Sequence, residues 1–368
     1  MNILQISSAS SFGGGERYVV DLTNALVARG HDVYVAVRPG SPLPPQLQLA
    51  PEKILILPLR NALDVQSARE LEKFVRRKAI DVVHAHLARD YTLASYAARR
   101  NRQTKFIATR HVLFKLNRLH RHTLSRATRV IAVSHAVARE LRASRVVSDG
   151  QIAVIHNGID VDRIKRTCAA LPLGLFLNSI GIPGGAPLVG SIGELRTLKR
   201  HDDFTRAAAL VLKEFPETQF VLAGVGEARK QLEGLVAELG LSDHFHFLGW
   251  LDDADKLLCA MDVFVSASET ESFGLAIVEA MAAETAVVAT ATEGAKEIID
   301  DQQTGLLVPI GDVTSIAQSV LNLLQDPDKR RRLATQSAQS AAKKFSLTRM
   351  VDDIEKIYLC RKDEITLR

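Results

Sequence analysis

Ser268-Glu-Thr-Glu-Ser-Phe-Gly-Leu-Ala-Ile-Val-Glu279 is the stretch around which the rest of this sequence is organised. It follows a predicted strand, 262–266, and leads into an apolar helix predicted over 275–283. Two carboxylates, Glu271 and Glu279, stand on either side of Ser-Phe-Gly. A loop of small residues before a helix directs several backbone N–H groups to one point, with the positive end of the helix behind them. The stretch therefore predicts a strand, a loop and a helix with an anion site at the loop.

The two carboxylates add a second element of recognition to this loop. A carboxylate before the loop and another beyond it can hold neutral hydroxyls on either side of a bound diphosphate, which is the layout that a nucleotide sugar needs. The alternative is two solvated carboxylates around a helix start, where acidic side chains are favourable in any case.

Short apolar runs alternate with longer amphipathic stretches along the whole chain, which indicates parallel sheets wrapped by helices. The first half predicts strands over 2–6, 32–37, 53–57, 81–84, 105–108, 129–133 and 152–155. The second half predicts strands over 188–192, 219–223, 244–247, 262–266, 286–289 and 305–308. The fold class is therefore α/β, with two Rossmann-like doubly wound domains whose ligands bind at the carboxyl edges of the sheets, in the cleft between the domains.

Domain boundaries follow from where this alternation fails. The Gly- and Pro-rich stretch 171–186 predicts a linker between a first domain, 1–170, and a second domain, 187–345. The remaining segment, 346–368, contains a helix with one apolar face that some other element must cover.

Composition narrows the class of protein. The chain has 368 residues, 46% of them hydrophobic and 24% charged, as in a water-soluble globular protein. Three widely separated cysteines predict neither a disulfide framework nor a zinc knuckle, and a reducing cytoplasm fits them best. The first residues do not resemble a signal peptide, and no apolar run approaches the 18 residues of a membrane span.

Charge is divided unevenly along the chain. Residues 1–170 hold 27 Lys and Arg against 13 Asp and Glu, whereas residues 171–368 hold 20 against 29. The stretch 91–139 has no acidic residue, and its Lys115, Arg118, Arg121 and Arg126 alternate with leucines as in a helix on an anionic membrane. A solvated helix that buries its leucines in the core explains the pattern equally well. Few aromatic residues and no recognition motif accompany the basic run, so nucleic acid is a poor partner for it.

Ordered landmarks along almost the full length make the chain resemble the retaining glycosyltransferases of family 4, which have the GT-B fold. The landmarks in the first half are 12–17, 26–33, 81–86, 109–111, 132–134 and 155–160, and those in the second are 189–193 with Lys199, 222–226, 247–250, 268–279 and 304–309. A dinucleotide fingerprint is absent, because neither Gly13-Gly-Gly15 nor Gly224-Val-Gly226 is completed by the third glycine, so a dehydrogenase is a poor interpretation.

The resemblance implies transfer of a sugar from a nucleotide diphosphate donor with retention at the anomeric carbon, without a metal or another cofactor. It implies that Lys199 neutralises the diphosphate, Glu271 contacts sugar hydroxyls, Glu279 contacts the ribose and His111 lies beside the transferred sugar. The donor-binding set that it implies is Gly14, Gly15, Arg196, Lys199, Glu271, Ser272, Phe273, Gly274, Leu275 and Glu279. The expected acceptor is a glycan or a lipid-linked glycan. The charge division suggests that it binds on the basic first domain, and we hypothesise that the basic surface docks on the inner face of a membrane. The resemblance also implies that the final helix returns to the first domain.

Two departures from the family pattern leave alternatives open. Glu194 stands where many members have arginine, and Arg196 is the nearby candidate to replace that cation; Ser272 stands where glycine is common. A nucleotide-sugar epimerase of the same fold would need no acceptor. A non-catalytic partner subunit would bind no nucleotide.

Overall fold

The computed structural model describes residues 1–101, 103–116 and 119–360. Its strands are β1 (Asn2–Ser7), β2 (Asp32–Val37), β3 (Ile54–Ile56), β4 (Val82–Ala85), β5 (Lys105–Arg110), β6 (Arg129–Ala132), β7 (Ile152–Val154), β8 (Leu188–Ile192), β9 (Gln219–Ala223), β10 (Phe245–Gly249), β11 (Val263–Ser266), β12 (Ala286–Thr290) and β13 (Leu306–Val308). Its helices are α1 (Gly14–Ala28), α2 (Val65–Arg77), α3 (Asp90–Ala98), α4 (Leu119–Leu124), α5 (His135–Ser144), α6 (Val161–Ala170), α7 (Leu173–Ser179), α8 (His201–Val211), α9 (Arg229–Glu238), α10 (Ala254–Ala260), α11 (Leu275–Ala282), α12 (Glu293–Ile298), α13 (Val313–Gln325), α14 (Pro327–Lys344) and α15 (Leu347–Leu359).

These elements form two compact units. Unit 1 comprises residues 1–158 together with the C-terminal segment that contains α15, and unit 2 comprises Ile159–Ser346. Each unit has its own parallel sheet and its own hydrophobic core.

The sheet of unit 1 has the strand order β3-β2-β1-β4-β5-β6-β7, with every neighbouring pair parallel. Its central strands are buried and mostly apolar, as in β4, because helices cover both faces of a doubly wound sheet. The order reverses between β1 and β4, so the loops that follow these two strands diverge and leave a crevice at the carboxyl edge. Residues 8–13 and His86 lie in those loops.

Helix α15 completes the core of unit 1. Its Met350, Val351, Ile354 and Tyr358 are buried in one cluster with side chains of α1, β1 and β2. At the rim, the imidazole of His31 lies 2.6 Å from the carboxylate of Glu355 on α15. The C-terminal helix is thus an integral layer of unit 1.

The sheet of unit 2 repeats the same winding, with the order β10-β9-β8-β11-β12-β13 and parallel pairs throughout. The reversal here lies between β8 and β11. The loop after β8 leads to the 3-10 turn Thr197–Lys199, and the loop after β11 contains Glu271. Both predicted parts of the anion site therefore lie at the switch point of this sheet.

The predicted fold class, two Rossmann-like doubly wound domains, is confirmed, and each predicted strand is present within two residues of its expected bounds. The short helices α7, α10 and α12 were not predicted, because six or seven residues give too little periodicity to recognise. None of the described helices is long and apolar enough to cross a membrane.

The division of the chain differs from the expected one. The structure separates the units after Gly158 rather than after residue 170, and the expected linker, 171–186, lies within unit 2. Helix α6 packs on α10 and α11, and α7 packs on α10, so this stretch is part of the folded unit. Its glycines and prolines suggested a linker, yet Leu177 and Ile182 are buried.

The structure contains one disulfide that the cysteine spacing did not predict. Cys168 on α6 and Cys259 on α10 form a disulfide across 91 residues of sequence, while Cys360 is free. The spacing of the cysteines in the sequence does not predict this pair, because the pair forms only through the packing of two helices. The inference of a reducing compartment from cysteine usage loses its basis.

Candidate active site

Lys199 and Glu271 meet in unit 2, although 72 residues separate them. The ammonium of Lys199 lies 2.7 Å from Oε1 of Glu271, and the hydroxyl of Ser268 donates to the same oxygen at 2.8 Å. The side chain of Glu271 is 13% exposed, whereas that of Lys199 is 32% exposed. The carboxylate is therefore fixed in place, and the ammonium is accessible to a ligand.

The loop that follows Glu271 leads directly into α11. Gly274 caps this helix with φ of 116°, a conformation that favours glycine. The side chain of Phe273 is buried, so this residue offers only its backbone to a ligand. The first N–H groups of α11, beginning at Leu275, have no partner within the helix. Glu279 lies about one turn further on and is partly buried.

Two glycines outside the predicted site, Gly224 and Gly294, pack tightly against the loops that follow β8 and β11. A Cβ on Gly224 would lie 1.8 Å from the carbonyl oxygen of Gly193, and a Cβ on Gly294 would lie 2.7 Å from that of Glu271. The N–H of Gly294 also donates to that Glu271 carbonyl at 3.2 Å. These contacts hold the segments that carry Lys199 and Glu271. Of the two, Gly224 lies in the family landmark 222–226 and in the incomplete dinucleotide fingerprint, whereas no sequence signal pointed to Gly294.

Arg196 does not stand free to replace a missing cation. Its Nε lies 2.7 Å from Oε1 of Glu194, and both side chains are about half exposed. Lys199 is thus the cation that meets Glu271. Buried His201 lies behind Gly193, and burial, followed by the nearby Lys199 charge, lowers its pKa to about 4.

In unit 1 the structure brings Gly15 and His111 together. Gly14 and Gly15 begin α1, and His111 directly follows β5. A Cβ on Gly15 would lie 3.8 Å from the His111 ring, so the start of the helix packs on the imidazole. Tyr18 packs edge-on against the same ring, with centroids 4.8 Å apart.

His111 is held as a neutral imidazole. Burial, followed by the charge of Arg110, lowers its pKa to about 3. Among the described residues, neither ring nitrogen has a hydrogen-bond partner. A neutral imidazole with two unused nitrogens can accept a hydrogen bond at one and donate at the other.

The basic segment does not form the continuous helix that the membrane-surface hypothesis predicts. Residues 111–116 are not helical, and α4 has only six residues, with Leu124 buried in the core. Lys115, Arg121 and Arg126 are exposed, while Arg118 lies outside the described residues. The side chain of Phe114 is 70% exposed.

Comparison with known proteins agrees with these features. A model of the family described as Glycosyltransferase Family 4 matches residues 12–163, and a model described as Glycosyl transferases group 1 matches residues 176–340. The lipopolysaccharide core biosynthesis glycosyltransferase LpsE of Rhizobium meliloti is 30% identical over 346 residues, which cover 92% of this chain and 94% of that protein. The chain belongs to the family 4 glycosyltransferases. An N-acetyl-alpha-D-glucosaminyl L-malate synthase of Bacillus anthracis is 28% identical over 96% of this glycosyltransferase and 95% of its own length.

Solved structures share the GT-B fold of this glycosyltransferase. A glycosyltransferase from Rickettsia africae superposes with a TM-score of 0.86 at 22% identity, covering 100% of this chain and 99% of its own. Anabaena HepE in complex with UDP superposes with a TM-score of 0.83 at 20% identity, covering 97% and 99%.

Within this glycosyltransferase, the predicted site residues fall into two groups. Unit 2 gathers Lys199, Glu271 and 272–275, with Glu279 further along α11. Unit 1 gathers Gly14, Gly15 and His111. Arg196 is held by Glu194.

Proposed function

We propose that this glycosyltransferase moves a sugar from a nucleotide diphosphate donor to a glycan or lipid-linked acceptor, with retention of the anomeric configuration. The contact between Lys199 and Glu271 beside the start of α11 carries the proposal. It combines a cation and helix N–H groups for a diphosphate with a carboxylate for neutral hydroxyls. In support, HepE has been crystallised with UDP and with UDP-glucose.

Each part of the donor has an assigned partner in the proposal. Lys199 and the backbone of 272–275 take the diphosphate, Glu271 takes hydroxyls of the sugar, and Glu279 takes the ribose. Gly14 and Gly15 keep the start of α1 open for close approach of the donor, and a nitrogen of His111 orients a sugar hydroxyl. Arg196 would serve the donor only after release from Glu194.

The bond between the anomeric carbon and the diphosphate oxygen breaks with its electron pair on the diphosphate. The acceptor hydroxyl forms the new bond on the same face of the sugar, and its proton passes to the departing phosphate oxygen. Lys199 offsets the charge that develops on that leaving group, so the proposed reaction requires no metal ion and no protein general base.

A donor panel tests this function. Thermal-shift screening of nucleotide sugars identifies the donor, and nucleotide release in the presence of extracted lipid-linked glycans measures transfer. The expected product has the anomeric configuration of the donor by proton NMR, and EDTA leaves the rate unchanged. Inverted configuration or abolition by EDTA contradicts the corresponding part of the proposal, and sugar conversion without any acceptor identifies an epimerase instead.

Relatives indicate the class of acceptor. LpsE and LpsD from Rhizobium meliloti are named for lipopolysaccharide core biosynthesis, and a relative from Mycobacterium leprae is named phosphatidyl-myo-inositol mannosyltransferase. We therefore propose that this chain acts in the biosynthesis of a surface polysaccharide or lipopolysaccharide.

The exposed cations Lys115, Arg121 and Arg126, with exposed Phe114 nearby, form the proposed contact with an anionic membrane or acceptor. Vesicles containing phosphatidylglycerol should sediment the protein, and changing the three cations to glutamine should abolish this. Equal sedimentation with neutral vesicles contradicts an electrostatic contact.

A further inference from the structure

A buried polar network joins α15 to β1, β4 and β5, and His111 directly follows the last of these strands. The Tyr358 hydroxyl lies 2.6 Å from Nδ1 of His84 on β4, and the amide nitrogen of Gln5 on β1 donates to it at 3.4 Å. On its far side, Nε2 of His84 lies 2.6 Å from the hydroxyl of Thr109 on β5. All four side chains are fully buried, so their hydrogen bonds are not exchanged for water.

The network extends to a second histidine. Nε2 of His86 lies 2.8 Å from Oε1 of Gln5. The rings of His84 and His86 lie 4.3 Å apart, and His86 stacks on His111 with centroids 5.8 Å apart. A chain of direct contacts therefore runs from Tyr358 through Gln5 and His86 to His111.

The geometry fixes the proton positions in this series of hydrogen bonds. Because the Gln5 amide donates to the Tyr358 oxygen, the phenolic proton has one acceptor among the described contacts, Nδ1 of His84. His84 then carries its own proton on Nε2 and donates to Thr109. The carbonyl oxygen of Gln5 likewise requires the proton of His86 on Nε2. Burial lowers the pKa of His84 to about 3 and that of His86 well below its usual value, so both rings are neutral and have defined tautomers.

We propose that Tyr358 is a positioning residue for His111, acting through the Gln5 amide and the tautomer of His86. The inference rests on the proposed role of His111 beside the donor sugar. Tyr358 is itself well anchored, because its backbone carbonyl accepts a hydrogen bond from Lys105 at the start of β5, the strand that ends at His111. Helix α15 thus sets the side-chain geometry at the carboxyl edge of the sheet, in addition to covering the core.

Removal of one oxygen atom interrupts this series of contacts. In Tyr358→Phe, Nδ1 of His84 and the amide nitrogen of Gln5 lose their shared partner. The Gln5 amide can then rotate and donate to Nε2 of His86, which requires the proton of His86 to move to Nδ1. The surface on which His111 stacks is no longer fixed in one state.

The test uses the full chain with ¹⁵N-labelled histidine, comparing Tyr358→Phe with Ile354→Val, which removes packing from the same face of α15. NMR should show Nε2–H at His84 and His86 in the wild type and in Ile354→Val, and mixed tautomers at His86 in Tyr358→Phe. With the donor identified as above, kcat should fall about tenfold in Tyr358→Phe, with the donor KM within about twofold of wild type. Gln5→Met breaks the same link from β1 and should reproduce the loss.

An unchanged His86 tautomer in Tyr358→Phe, or a wild-type kcat in both Tyr358→Phe and Gln5→Met, overturns the inference. The tautomer measurement needs no substrate. The expected tautomers in a chain that turns over no nucleotide sugar would contradict the proposed function and not the network.

Discussion

Glu271 receives hydrogen bonds from Lys199 and Ser268 at one carboxylate oxygen. Glu271→Gln keeps an oxygen that can accept from Ser268 but removes the negative charge. We expect kcat to fall on the order of 10²-fold, because the change removes a charged hydrogen-bond acceptor for the sugar. The melting temperature should change little. Steady-state kinetics and calorimetry measure both quantities.

Glu269→Gln is the matched control, since Glu269 lies two residues away and is exposed. It should retain wild-type turnover. Wild-type turnover in Glu271→Gln would remove this residue from the mechanism.

Gly224 is the position in unit 2 where a single methyl group should do most damage. Its φ is 144°, and a Cβ would lie 1.8 Å from the carbonyl oxygen of Gly193. Gly224→Ala should therefore destabilise the chain by about 3 kcal/mol or more and displace the segment that carries Lys199. Gly234→Ala, on an exposed side of α9 with open space around it, should stabilise by about 1 kcal/mol. Equal urea midpoints for the two variants would contradict this assignment.

The neutral histidines of unit 1 make the stability of the fold depend on pH. Their folded pKa values near 3, for His84 and His111, lie below the ordinary value of 6.5. The unfolded chain therefore binds more protons between these limits, and stability is fully present above pH 6.5. For each neutral histidine, the free energy of unfolding should fall by about 1.4 kcal/mol per pH unit below pH 6.5.

Asp90 has the opposite effect, because burial raises its pKa to about 6 and its folded form keeps a proton that the unfolded chain releases. The combined effect of the histidines on the free energy of unfolding is larger than the opposite effect of this single carboxyl. Urea unfolding at pH 7.5 and pH 5 should show a clear loss of stability at the lower pH. A free energy of unfolding that is equal or higher at pH 5 would contradict the buried neutral cluster.

At the scale of elements, the disulfide between α6 and α10 closes a loop of 91 residues. Mass spectrometry without reductant should find one free thiol, at Cys360, and three after reduction. Loop-closure entropy predicts that Cys259→Ser lowers the free energy of unfolding by about 4.6 kcal/mol under oxidising conditions. Cys360→Ser is the control and should have little effect. Three free thiols in the protein as isolated would show that the pair is not formed.

Sequence patterns predicted the elements better than the contacts between them. Strands such as β6 and β12 were predictable because a run buried on both faces is mostly apolar. The packing of α6 on α10 and the place of Tyr358 beside His84 were not, since each joins residues far apart through tertiary packing that no periodicity records. The same limit applies to the site: its loops were predictable, but the direct pairing of Arg196 with Glu194 was not.

At the scale of the whole molecule, two units with the same strand winding carry different chemistry. In the proposed function, unit 2 presents Lys199, Glu271 and the start of α11 to a phosphorylated ligand. Unit 1 presents His111 and Gly15 at the corresponding edge of its own sheet, within the half of the chain that carries the excess of basic residues. We propose that unit 2 recognises the nucleotide, that Gly15 and His111 of unit 1 contact the donor sugar, and that the acceptor binds on the basic surface of unit 1.

Isothermal titration of the full chain with UDP, GDP and ADP tests the central claim, a nucleoside diphosphate site built on Lys199. At least one of the three should bind the wild type. Lys199→Gln should weaken that binding by at least about tenfold, the effect of losing a charged hydrogen bond. Lys213→Gln, an exposed lysine of the same unit, should leave it unchanged. No binding of any of the three nucleotides, or equal affinity in wild type and Lys199→Gln, would contradict the account.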